Sequence, residues 1–264
     1  MTLRDLAGQV VVVTGAGHGI GAAVARAAAE AGAAVALLDV DRAAVEEVAL
    51  ALGPDTTSYV ADTTDARAVE RAVDEAAARY GTPTALVNNA ALTSVRPGGQ
   101  VGGRALDMPL QRWRRVLDVN VTGAFICSQV VARSMGPGGG SIVNMASLQG
   151  LVPNAGTVDY CVSKAGLIML TKCLAGEWAA AAIRVNAVAP GPIWTDPSSR
   201  PAAGTDALDG SWGTTEDVVD AVLYLTDPRS RFVNGHVLAV DGGASLRYRT
   251  APSRRTAGLD GERG

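Results

Sequence analysis

Residues Gln9-Val-Val-Val-Val13 run directly into Thr14-Gly-Ala-Gly-His-Gly-Ile-Gly21, and that junction narrows the folds open to this chain. Four consecutive valines make a β-branched run with no polar face, the pattern of a strand covered on both sides. Glycines at 15, 17, 19 and 21 permit positive φ and close approach of other groups. Apolar residues then recur at Ile20, Val24, Ala28 and Ala31, the spacing of a helix that stops at Gly32. A buried strand, a glycine turn and a helix in succession leave the first helical N–H groups free at the end of a sheet. Such a turn receives an anion, a pyrophosphate above all.

The same rhythm continues. Strands are expected at 34–39, 58–61, 85–88, 142–145, 184–188 and 236–240, which with the first makes about seven. Between them the pattern predicts helices over 45–52, capped by Asp41, and over 65–80, 108–135, 160–180 and 215–225. Strict alternation implies right-handed crossovers and a parallel sheet with helices on both faces. The expected architecture is therefore α/β, a doubly wound parallel sheet in three layers, with residues 1–246 as one domain. Residues 247–264 carry five arginines against two acids and read as a flexible tail or a segment packing on a neighbouring subunit. Val95 to Gly103 and Asp196 to Gly213 interrupt the rhythm as loops.

Composition narrows the function classes. Hydrophobic residues are 48% of the 264, enough for a large core, and the net charge of -3 argues against nucleic acid as the main partner. Three cysteines without metal-ligand spacing, and two distant histidines, predict no metal site. No apolar run reaches the roughly 18 residues of a membrane span, and the start of the chain lacks the apolar core of a secretory signal. The expectation is a soluble, cytoplasmic protein with no membrane partner.

Two features carry chemistry. Asp39 closes the second predicted strand, at the distance from the glycines where a carboxylate grips an adenosine ribose. It would repel an extra phosphate there, and neither position 18 nor position 40 is basic, which favours NAD over NADP. Tyr160 and Lys164 lie four positions apart, on one helix face. The ammonium is expected to lower the phenol's pKa toward neutrality. Ser147, thirteen residues upstream, can hold a substrate oxygen beside Tyr160. The plain alternative is an amphipathic helix with a partly buried tyrosine and a solvated lysine.

Together these residues resemble the short-chain dehydrogenase/reductase family. The match runs in order through Thr14-Gly15-x-x-x-Gly19-x-Gly21, Asp39, Asp62, Asn88-Asn89-Ala90, Asn120, Ser147, Tyr160-x-x-x-Lys164, Pro190-Gly191 and Asp241-Gly242-Gly243. The resemblance implies a Rossmann fold and a hydride transfer between NAD and a secondary alcohol or ketone. By that resemblance Tyr160 is the general acid/base, Lys164 tunes it and holds the nicotinamide ribose, and Ser147 orients the substrate oxygen. Asn120 would support a water linking Lys164 to solvent. Gly15, Gly17, His18, Gly19, Ile20 and Gly21 would hold the pyrophosphate turn, with His18 no base. Asp62 and Thr63 would meet adenine, and Asn89 and Ala90 would border the cofactor. Pro190, Gly191, Ile193 and Thr195 would wrap the nicotinamide end. Ser94, Arg96, Leu148, Gln149, Asn154 and Trp194 are the expected substrate contacts. A homotetramer, or a dimer, is implied by the same likeness.

Ala91 stands where the family commonly has glycine, and the segment after Pro190-Gly191 is short and proline-interrupted where the family places helices. Rival readings are an NADPH-dependent biosynthetic ketoreductase and an NAD-binding sensor without turnover. An enoyl reductase is disfavoured, since that subfamily spaces Tyr and Lys more widely.

Overall fold

The computed structural model describes residues 5–93, 103–195, 205 and 207–246. Strands β1 (Val10–Thr14), β2 (Ala34–Asp39), β3 (Thr56–Val60), β4 (Ala85–Asn88), β5 (Gly140–Met145), β6 (Ile183–Pro190) and β7 (Val237–Val240) form one sheet. Its order is β3-β2-β1-β4-β5-β6-β7, with every pairing parallel. The chain winds outward one way from β1 to β3, then restarts beside β1 with β4. The crevice at that reversal, beyond the carboxyl ends of β1 and β4, is where open α/β sheets bind ligands.

Helices α1 (Gly19–Glu30), α2 (Arg42–Leu52), α3 (Ala66–Tyr80), α4 (Leu110–Leu117), α5 (Ala124–Ser134), α6 (Val158–Glu177) and α7 (Thr215–Thr226) cover both faces. The valine run explains how. Val11 and Val13 join a cluster with Val24 and Ala28 of α1 and Val218 and Val222 of α7. Val12, between them, points the other way into a cluster with Val73 of α3, Val131 of α5 and Leu174 of α6. Successive strand residues face opposite layers, so a strand covered twice must be apolar at every position.

Two central strands, β5 and β6, carry buried polar residues that find partners. In β5, Ser141 donates to the Leu225 carbonyl at 2.8 Å, and Asn144 accepts from Asn88 at 2.8 Å and donates to Thr171 at 2.9 Å. In β6, Asn186 donates to the Val233 carbonyl at 2.9 Å. Paired in this way, they cost little. Both strands run further than the expected 142–145 and 184–188: β5 begins at Gly140, and β6 reaches from Ile183 to Pro190.

The long helix expected over 108–135 runs from Leu110 to Ser134 as α4, a π-helical segment and α5. Pro109 occupies the N-cap of α4, next to the first helical positions where a missing N–H is tolerated. Residues Asp118–Gly123 form a π-helical segment before α5. Such a segment inserts extra chain and re-aims a side chain, and it is often found at functional sites. It carries Asn120. Gly123, at its end, lies so close to Thr63 that an added Cβ would fall 2.6 Å from the threonine hydroxyl.

The tail at 247–264 lies outside the described residues. Gly21 is the tightest point of the glycine turn: a Cβ there would meet the Gly15 carbonyl at 2.0 Å and the Asn89 amide at 2.4 Å. Gly21→Ala is expected to destabilise the protein by about 2 kcal/mol through overpacking. The melting temperature should fall by roughly 4–8 °C, readable by calorimetry against the parent chain.

Candidate active site

A cleft of about 650 Å³ follows the carboxyl edge of the sheet. At one end lies the glycine turn. Gly15 and Gly19 have φ of +64° and +53°, which side chains rarely adopt. His18 stands at the N-cap of α1 without a side-chain cap bond, so the first-turn amides remain open to a ligand. Its ring nitrogen lies 3.4 Å from Asp41, which itself caps α2 through the Ala44 amide. Asp39 is held by two main-chain donors, Gly17 at 2.9 Å and Asp41 at 3.0 Å. Thr195 faces Gly19: a Cβ on the glycine would lie 3.6 Å from that of the threonine. These glycine and threonine positions suit a dinucleotide, since backbone is exposed where its phosphates would lie.

The turn is fastened to the end of β4. Thr14 Oγ1 accepts from the amides of Asn89 and Ala90, both at 3.1 Å. Asn89 Nδ2 donates to the carbonyls of Thr14 and Gly15 at 3.1 and 2.9 Å. Asn88 points away from the cleft, into the core, donating to Ala124, Ser128 and Asn144. It braces the sheet from the last position of β4.

Along the middle of the cleft, Asp62 accepts from Thr64 and from Arg115, whose Nη2 is 3.1 Å away. Burial raises the Asp62 carboxyl, but those hydrogen bonds and the Arg115 charge outweigh it and hold the group below the usual range. Arg115, with Val40 and Val119, also lines the cleft. No signal in the sequence singled out Arg115. Its meeting with Asp62 joins residues 53 positions apart in the chain.

At the far end Ser147, Tyr160 and Lys164 converge. Ser147 caps a short 3-10 turn by accepting from the Gln149 amide at 3.1 Å. Lys164 Nζ donates to the Met145 carbonyl at 2.6 Å and stands 5.6 Å from the centre of the Tyr160 ring. Lys164 is only 3% exposed. The expected depression of the Tyr160 pKa is not found. Burial pushes the phenol up, and a hydrogen bond with Ser147 opposes the rise. The lysine pays the same penalty: burial brings its pKa from 10.5 down to about 8.

Asn120 is 1% exposed and does not line the cleft. Its amide exchanges hydrogen bonds with the Leu92 backbone at 2.7 and 3.0 Å and donates to Ser163 at 3.0 Å.

Of the cofactor set, Gly15, His18, Gly19, Ile20, Asp39, Asp62, Thr63, Asn89, Ala90, Pro190, Gly191, Ile193 and Thr195 line the cleft. Gly17 and Gly21 do not; they lie behind the turn, against Asp39 and Gly15. Leu148, Gln149, Asn154 and Trp194, expected as substrate contacts, are also absent from the lining. The Gln149 side chain is engaged by Thr157 at 2.9 Å, and the Asn154 carbonyl by the same hydroxyl at 3.1 Å. The Trp194 amide is bonded to Gly213, and its indole nitrogen is buried. Ser94 and Arg96 lie outside the described residues. Among the described residues no group of His, Cys, Asp or Glu is arranged to hold a metal, and no helix is long and apolar enough to cross a membrane.

Buried Lys164 gives a pH-dependent stability. Its folded pKa of about 8 lies below its ordinary 10.5, so between these values the unfolded chain binds the extra proton. Stability from this group therefore rises as pH climbs from about 8 to 10.5, and its cost is greatest at neutral pH and below. Lys164→Met is expected to be more stable than the parent at pH 7, by up to about 3 kcal/mol, with the gain shrinking toward pH 10. Urea unfolding at both pH values checks this.

Comparison with known proteins fits this geometry. The family model matching residues 15–245 is described as enoyl-(acyl carrier protein) reductase. The D-threitol dehydrogenase of Mycolicibacterium smegmatis is 35% identical over 253 residues, 92% of this chain and 95% of that protein. The NAD-dependent glycerol dehydrogenase of Listeria innocua is 33% identical over 252 residues, 92% of this chain and 96% of that protein. A short-chain type dehydrogenase/reductase of known structure from Mycobacterium marinum superposes with a TM-score of 0.82 at 34% identity, covering 93% of this chain and 98% of that one. With such matches across nearly its full length, this chain belongs to the short-chain dehydrogenase/reductase family, as an oxidoreductase of CH–OH groups that uses a nicotinamide cofactor.

Proposed function

We propose that the protein oxidises a secondary alcohol of a small polyol with NAD, with Tyr160 as the general base. The observation that carries this reading is the convergence of Ser147, Tyr160 and Lys164 at one end of the cleft, with Lys164 Nζ 5.6 Å from the Tyr160 ring centre. One alcohol oxygen can bridge both hydroxyls. Ser147 holds that oxygen while Tyr160 takes its proton. The phenolate this requires is opposed by burial and favoured by the Ser147 bond. Lys164 stands 5.6 Å from the Tyr160 ring centre and keeps its proton below about pH 8. When bound, the nicotinamide supplies the acceptor for the carbinol hydride. The chain's own contribution is orientation, exclusion of water and a held proton path.

Asp39 supports NAD over NADP. Its carboxylate is locked by the Gly17 and Asp41 amides, and His18 and Val40 offer no fixed positive charge to a phosphate. A polyol is supported by the relatives that act on threitol and glycerol. Self-association is supported by apolar side chains left outside on α5 and α6: Phe125, Val162 and Met169 are 38%, 43% and 58% exposed. A stripe of this kind suits packing against a second copy, consistent with a homotetramer.

Assayed with threitol, glycerol and a simple secondary alcohol, the enzyme is expected to reduce NAD with at least one polyol and to favour NAD over NADP in kcat/KM. Equal use of the two cofactors, or no polyol turnover, would refute the corresponding half. Tyr160→Phe should bind NAD with unchanged Kd by fluorescence titration while kcat falls by about 10²–10⁴. A variant that retains turnover removes Tyr160 from the reaction.

A further inference from the structure

Arg112 and Asp159 form a buried ion pair that the chemistry above leaves without a role. Arg112 lies on α4 and Asp159 in the first turn of α6, immediately before Tyr160. Arg112 Nε is 2.8 Å from Asp159 Oδ2, and their side chains are 22% and 2% exposed. Neither of these two atoms is aligned for a hydrogen bond, so the contact between them is coulombic. The remaining atoms of the pair reach further. Arg112 Nη2 donates to the carbonyl of Thr93, in the cleft wall, at 3.1 Å. Asp159 Oδ1 accepts from the main-chain N–H of Tyr160 at 2.9 Å. A path of contacts thus runs Thr93, Arg112, Asp159, Tyr160 N–H.

A second path runs beside it. Leu92, the neighbour of Thr93, is held through both its N–H and its C=O by Asn120. Asn120 donates to Ser163 at 3.0 Å, and Ser163 donates to the Tyr160 carbonyl at 2.8 Å. Adjacent wall residues are therefore fastened to the two ends of the Tyr160 main chain. A buried ion pair is weak evidence for stability, since apolar residues of similar volume serve as well or better. What charge adds here is direction: a guanidinium can reach a carboxylate and a carbonyl at once.

We propose that Arg112 and Asp159 are positioning residues that couple the cleft wall at Thr93 to the placement of Tyr160, in parallel with the Asn120–Ser163 bridge. The proposal rests on Tyr160 being the acid/base group. Its first test needs no turnover. In hydrogen–deuterium exchange read by mass spectrometry, Arg112→Met is expected to raise exchange both in peptides over 85–93 and in those over 158–163. Peptides of β6 should be unchanged.

The second test is kinetic, on the alcohol the parent enzyme oxidises. Arg112→Met and Asp159→Asn should each lower kcat/KM about tenfold with NAD Kd unchanged. The double variant should be no worse than the worse single, because the residues act as one unit. Should Arg112→Met not fold, Arg112→Lys is read the same way, since one ammonium cannot serve both Asp159 and Thr93. Exchange rising in only one segment, additive kinetic losses, or a lower melting temperature with unchanged kinetic constants each overturns the proposal. Coupled exchange in an enzyme that oxidises no polyol upholds the coupling and removes the polyol reading alone.

Discussion

The bonds between Thr14 and Asn89 hold the cleft together. One hydroxyl receives two amides from the end of β4, and one side-chain amide reaches two carbonyls at the end of β1. β1 and β4 sit where the strand order reverses, so their ends would otherwise splay apart as the chain leaves toward opposite layers. Joined in this way, they form the floor on which the glycine turn rests. Gly15 has no room for a Cβ because Ala90 and Asn89 fill that space, and Gly21 has none because the Gly15 carbonyl and the Asn89 amide do.

The end of the cleft that holds Ser147, Tyr160 and Lys164 is arranged at the expense of stability. Lys164 is almost fully buried, with its ammonium against a single carbonyl, and Tyr160 is driven toward its neutral form. Neither group would be placed there for folding alone. The surroundings over-determine them: β5 presents the Met145 carbonyl, the turn after it presents Ser147, and α6 carries both titratable groups. Sites that store cost in this way are where local sequence rules and global structure are expected to part.

Much of the fold was legible because its signals are local. The valine run, the glycine turn and the apolar stripes of α1 and α3 each declare a strand, turn or helix within a dozen residues. Asp41 marked a helix start that the structure keeps, and the helix expected over 65–80 is found at Ala66–Tyr80. Where polar residues are buried, the local reading fell short. Ser141, just outside the strand expected at 142–145, belongs to β5, where it donates to the Leu225 carbonyl. The π-helical segment at Asp118–Gly123 was invisible for a related reason: periodicity cannot report one extra residue in a continuous helix.

From the sequence by itself came the doubly wound architecture, the glycine turn, Asp39 and the Ser147, Tyr160 and Lys164 set, since spacing along the chain determines which residues share an edge or a helix face. Only the tertiary structure decided the sign of the Tyr160 shift, the engagement of the Gln149 side chain by Thr157, and the meetings of Arg115 with Asp62 and Arg112 with Asp159. Burial and long-range pairing are properties of the packed whole. A residue's neighbours fifty positions away, and the dielectric they create, leave no trace in the pattern around it.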